Sequence, residues 1–235
     1  MVTGVRKATS GAQVPYLTIN NIAMTPRFDS VIFDLDGTLW NATESVTKGF
    51  QAAKNSVSYI EQDITLADVQ AVTGQPYEAV YEKLFPSLPV EKRQEFKALC
   101  AQHELGGVEQ YGGTLYPELE STLRYLQEQG YRLFIVSNCQ RGYIEAFFQH
   151  SQLESYFEGH QCFGTKNLPK FQNILEVIEQ YQLQAPVYVG DTRSDFEASQ
   201  KSGIPFIFAT YGFGEVPAEE AAMRIDSFTD LRQLL

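Results

Sequence analysis

A chain of 235 residues, 43% hydrophobic and 20% charged, has an ordinary globular composition and the length for one large domain or a domain with a substantial insertion. Its formal net charge of −11 disfavours sequence-independent binding to nucleic acid or to an anionic membrane. No apolar run approaches the roughly 20 residues of a membrane helix, so the chain reads as a cytoplasmic protein, monomeric or homodimeric. Cys100, Cys139 and Cys162 form no CxxC pair and fit reduced thiols, and His103, His150 and His160 show no zinc-ligand spacing.

Residues 1–25 read as an extension with little structural signal, in which Met24 is an alternative start. Val31 to Phe33 is a buried strand of β-branched and aromatic residues that ends in Asp34, Asp36, Gly37 and Thr38. A helical stretch follows. Val46, Phe50, Ala53 and Val57 recur at helical spacing. Thr65 can cap a helix carrying Leu66, Val69 and Val72 that Gly74 stops. Tyr77, Val80, Tyr81 and Leu84 form another stripe. Pro89 opens a helix through Phe96 and Leu99 that Gly106 and Gly107 are expected to close. These helices, with no strand between them, read as a subdomain (43–111) inserted into a core made of 26–42 and 112–235. The alternative is that they cover the main sheet directly.

From Gly112 onward strands and helices alternate: a helix over 117–129, a strand over Arg132–Ser137, a helix over 142–150, and a short strand at 161–163. A helix over 170–182 follows, with Ile174, Leu175 and Ile178 on one face. Then come a strand over Pro186–Val189 ending at Gly190 and Asp191, a helix through Ala198 stopped by Gly203, and a last core strand over 205–209. Residues 227–235 read as a short terminal helix. The pattern predicts an α/β fold, a doubly wound parallel sheet of Rossmann type with helices on both faces and a helical insertion.

Three strand ends carry polar groups: Asp34 with Asp36, Ser137 with Asn138, and Asp191 with Asp195 beyond it. In such a sheet these ends converge on one crevice. A carboxylate is a weak nucleophile, so phosphoryl transfer to it depends on positioning and charge neutralisation. Asp34 is placed to attack phosphorus. Asp36 is placed to protonate the leaving oxygen and then to activate water, which requires a raised pKa or a proton gained on substrate binding. Ser137 and the amide of Asn138 can donate to a phosphoryl oxygen. Several acids beside a phosphate dianion need a divalent cation, and an all-oxygen ligand set points to Mg2+.

Asp34-Leu35-Asp36-Gly37-Thr38, the strand-terminal Ser137, a lysine near the start of a later helix, and Gly190-Asp191-Thr192-Arg193-Ser194-Asp195 together resemble the four motifs of the haloacid dehalogenase superfamily. The likeness runs from about 28 to 211 and falls in the helical-cap, phosphoglycolate-phosphatase-like branch. It implies metal binding by Asp34, by the backbone carbonyl of Asp36 and by Asp191, with Asp195 ligating through water or orienting its neighbours. The motif lysine is Lys170 or Lys166. Lys170 is favoured because it follows Pro169 at a helix start, where the dipole disfavours a cation unless an anion is near. The resemblance implies a hydrolase acting on a small-molecule phosphate, phosphoglycolate among the candidates, with a cap that closes over the crevice. Asp36 argues against a dehalogenase. A sugar-phosphate mutase shares the core motifs, whereas a receiver-type phosphoacceptor module is shorter and lacks the DxDGT sequence.

Overall fold

The computed structural model describes residues 28–235; the extension and Met24 lie outside them. Six parallel strands form one sheet in the order β5-β4-β1-β6-β7-β8. They are β1 (Ser30–Phe33), β4 (Arg132–Ser137), β5 (Gly159–Cys162), β6 (Pro186–Gly190), β7 (Phe206–Ala209) and β8 (Met223–Ile225). The three-residue β8 is an edge strand absent from the sequence reading, because Met-Arg-Ile is too short and too charged at its centre to stand out as a core strand.

Alternation along the buried strands splits the core in two. Val31, Phe33, Leu133, Ile135, Val187 and Val189 face α5 (Leu119–Glu128), α6 (Tyr143–Ser151) and the terminal α10 (Leu231–Leu234). Ile32, Phe134, Val136 and Tyr188 face α8 (Lys170–Tyr181) and α9 (Arg193–Ser202). On α8 the buried face is Asn173, Ile174 and Val177. Leu175, expected on the core face, is 41% exposed, because a turn of 100° per residue carries it past the sheet. A one-turn α7 (Phe163–Lys166) joins β5 to α8.

Between β1 and α5 the chain is helical apart from a small antiparallel pair, β2 (Trp40–Asn41) with β3 (Thr114–Leu115). The helices are α1 (Thr43–Asn55), α2 (Leu66–Gln70), α3 (Tyr77–Leu84) and α4 (Val90–Tyr111). Thr65 caps α2 in a reciprocal box with Asp68. α4 does not stop at Gly106 and Gly107; it runs on to Gly112, whose φ of +65° ends it. The reason is packing. A Cβ on Gly107 would stand 2.8 Å from the Ser45 carbonyl oxygen, and one on Gly49 would stand 2.6 Å from that of His103. The glycines let the backbones of α1 and α4 meet.

Candidate active site

Register puts the polar strand ends side by side. Phe33 pairs with Ile135 on one side and Val189 on the other, so Asp34 leaves the sheet next to Ser137 and Asp191. β1 lies where the strand order turns back, and such a point opens a crevice at the carboxyl edge. The loop after β1 curls tightly: the Leu35 carbonyl accepts from the amides of Thr38, Leu39 and Trp40. Gly37 has a φ of +86°, and the carboxylate of Asp191 fills the space where its Cβ would be.

Lys170, the first residue of α8, is buried and donates to Asp34 Oδ1 at 2.9 Å and to Asp195 Oδ1 at 2.5 Å. Lys166 sits on the surface, paired with Glu176 at 2.9 Å, so of the two lysines Lys170 is the one at the acids. Asp195 has both oxygens occupied. Its Oδ2 accepts from the amide of Thr192 at 2.9 Å and from the Thr192 hydroxyl at 2.6 Å, which caps α9, while Oδ1 takes Lys170. It is a capping acid and the lysine's partner at once.

Asp191 accepts from the amide of Phe213 at 2.7 Å and from the Thr38 hydroxyl at 3.3 Å. The Tyr211–Gly214 loop, which had no role in the sequence reading, thus wraps Asp191. Gly212 leaves the space that Asp191 occupies, and Tyr211 anchors the loop by donating to the Thr38 carbonyl at 2.9 Å. No side-chain pattern announces a backbone donor, so sequence gave no signal for this contact.

Asp34, Asp191 and Asp195 each offer a carboxylate oxygen, and these atoms lie within 4.8 Å of one another, all buried. One lysine among three carboxylates leaves excess negative charge in a dry site, which an oxygen-bound divalent cation would neutralise; the donor set fits magnesium. Burial pushes Asp34 up to about 6, with Asp195 adding and Lys170 opposing. Asp191 is raised by burial, then by Asp195 and Asp34. Burial alone would lower Lys170, but Asp195 and Asp34 outweigh it and hold it above its ordinary value.

The carboxyl of Asp36 stands outside that cluster. It accepts from the Tyr143 hydroxyl of α6 at 3.2 Å, and burial together with the Asp34 charge pushes it up to about 7. Asp34 and Asp36 open into one cavity with Ser137, Asn138, Thr73, Gly74, Gln75 and Glu104. Asn138 uses its side chain to reach across to the helical segment, donating to the Gly74 carbonyl at 3.2 Å and to Ser194 Oγ at 3.3 Å. Gln140 makes a second bridge, to the Ala101 carbonyl at 2.9 Å and Glu104 Oε2 at 2.7 Å on α4. Tyr143, Gln140 and Glu104 escaped the sequence reading because each looks like an ordinary residue of an amphipathic helix or loop.

The fold and the clustered acids define an α/β hydrolase of the doubly wound type. A family model of the haloacid dehalogenase-like hydrolases matches residues 31–209, and the chain belongs to that family. A phosphoglycolate phosphatase of Aliivibrio fischeri is 26% identical over 195 residues, covering 78% of this chain and 84% of that one. Pyrophosphatase PpaX of Bacillus cereus is 27% identical over 217 residues, covering 89% and 97%. In fold, the chain resembles a predicted phosphoglycolate phosphatase from Haemophilus somnus with a TM-score of 0.76 at 22% identity, covering 90% of this chain and 99% of that one. The protein is thus a hydrolase on the side of the family whose named members are phosphatases. No helix among the described residues is long and apolar enough to cross a membrane.

Proposed function

We propose that the protein is a magnesium-dependent phosphatase that hydrolyses a small-molecule phosphate monoester through an aspartyl-phosphate on Asp34. The observation that carries this reading is the separation of two acids two residues apart: Asp34 against Lys170 in the acid cluster, Asp36 on Tyr143 at a raised pKa. Asp34, kept ionised by Lys170, attacks phosphorus in line. The ester P–O bond breaks as Asp36 hands its proton to the leaving oxygen. Asp36, now a carboxylate, takes a proton from the water that attacks the aspartyl-phosphate, and inorganic phosphate leaves. The Ser137 hydroxyl and the Asn138 amide donate to the phosphoryl oxygens, as preorganised donors do where charge accumulates.

Asp34, Asp191 and the backbone carbonyl of Asp36 would hold the magnesium ion, with Asp195 fixing Lys170. When bound, the ion supplies positive charge against the phosphoryl oxygens. Residues 43–111 act as a cap over a core of 26–42 and 112–235, and the Asn138–Gly74 and Gln140–α4 bridges are the contacts of its closed position. Closure excludes water from the first transfer. Phosphoglycolate enters as a candidate substrate from the resemblance and from the names of relatives.

The test is phosphate release across small phosphate esters and acetyl phosphate, with magnesium and after chelation. Release that stops with EDTA and returns with magnesium is expected. Silence toward every ester and acetyl phosphate would sink the reading, and isomerised phosphosugar in place of free phosphate would mark a mutase.

A further inference from the structure

The cavity above Asp34 and Asp36 has an unusual lining for a site meant to take a dianionic ester. Its helical wall is apolar: Val46 and Phe50 from α1, Val69 and Val72 around α2, and Val80 from α3. None of its described lining residues is Lys, Arg or His. The charged group that the helical segment brings is Glu104 of α4, an acid. Gln140 pins one of its oxygens, Oε2, at 2.7 Å, and Oε1 accepts no hydrogen bond from a described residue. The cavity measures about 80 Å3, where one water needs about 10–15 Å3, so it holds an alcohol of a few heavy atoms.

An acceptor-only carboxylate at the end of an apolar wall selects by what it cannot do. It cannot pair with a carboxylate on the leaving alcohol unless the two share one proton, and no cation lines the cavity to offset a second negative charge. It does accept from a hydroxyl, and it pairs with an ammonium. Burial and the charge of Asp36 push Glu104 up to about 8, the direction in which a cation or a donor on the substrate is favoured and another anion is not.

Building on the phosphatase reading, we propose that Glu104 is the specificity residue of this site, and that the preferred substrates are phosphate monoesters of short alcohols ending in a hydrogen-bond donor, hydroxyl or ammonium, rather than in a carboxylate. By this argument phosphoglycolate is a disfavoured ester.

Three esters of matched size test the point: phosphoglycolate, ethylene glycol monophosphate and phosphoethanolamine, assayed by phosphate release beside acetyl phosphate. The native enzyme is expected to show kcat/KM at least about tenfold higher for the two donor-bearing esters than for phosphoglycolate, about 1.4 kcal/mol. Glu104→Gln, which can donate to a carboxylate, should shift that ratio about tenfold toward phosphoglycolate, and Glu104→Asp should retain the native order. Acetyl phosphate, which has no alcohol to read, should respond equally in all three proteins. Phosphoglycolate equal to or better than its two analogues, or an unchanged ratio in Glu104→Gln with acetyl phosphate turnover retained, would overturn the inference and leave the phosphatase reading standing. Failure on all four substrates would remove that reading and this inference with it.

Discussion

The strand-edge site and the helical wall facing it are built on opposite plans. At the edge, charge is concentrated and backbone holds it: three buried acids, one buried lysine, and two glycines, Gly37 and Gly212, that leave no room for anything but Asp191. Across the cavity, valines and Phe50 form a wall with a single acid, Glu104. The first arrangement tolerates almost no change of side chain, since every group is another group's counter-charge or spacer. The second changes its character with one substitution. The comparison places the chemistry in the α/β layer and the choice of alcohol in the helices.

The largest effect that could break this division is loss of Asp34. Asp34→Asn is expected to lower magnesium-dependent phosphate release by at least about 10^4-fold, as removal of a nucleophile does; retained turnover in a folded variant would end the covalent mechanism. Next comes the pair of lysines. Lys170→Met strands buried acids and should destabilise the chelated protein by about 3–5 kcal/mol in urea unfolding. Lys166→Met removes a surface pair and should change stability by less than about 1 kcal/mol.

A third test uses pH. Asp36 is raised from 3.8 to about 7 in the folded protein, and Asp34 and Asp191 shift the same way. Between about pH 4 and pH 7 the folded chain therefore binds more protons than the unfolded one, and stability falls as pH rises through that window. Chelated protein should unfold at higher urea at pH 5 than at pH 8, and Asp36→Asn should flatten the slope. The smallest effects concern neighbouring glycines of α4. Gly107→Ala presses on the Ser45 carbonyl and should cost about 1–3 kcal/mol. Gly106→Ala meets nothing within 4 Å and should stabilise by about 0.5–1 kcal/mol. Equal effects at the two positions would contradict the close approach of α1 and α4.

The strand-edge region was largely legible in the sequence, because buried β-type runs ending in acids have few other uses. The positions of β1, β4, β6 and β7, the segregation of helices between β2 and β3, and the alternation after Gly112 follow from hydrophobic period and glycine punctuation. Where the reading slipped, one residue type served two physical ends. Gly106 and Gly107 looked like a helix stop, whereas Gly107 is a packing surface. Leu175 looked like core and faces solvent. Glu104 looked like a solvated helix residue because its surroundings come from α6, the first strand end and the Gly74 loop, all distant in sequence. The Phe213 amide could not be read at all, since a main-chain donor leaves no mark in composition.

The narrow waist at β2 and β3 has a consequence of its own. The chain departs the sheet layer through Trp40–Asn41 and returns through Thr114–Leu115, paired antiparallel, with Gly113 tight against the Trp40 ring. Outgoing and incoming backbone are therefore neighbours, and everything between them is a detachable excursion. A protein engineer could exchange that excursion for another of different length without moving the two ends relative to each other. Lineages of such hydrolases could diversify in the same manner, trading one headpiece for another upon an unaltered base.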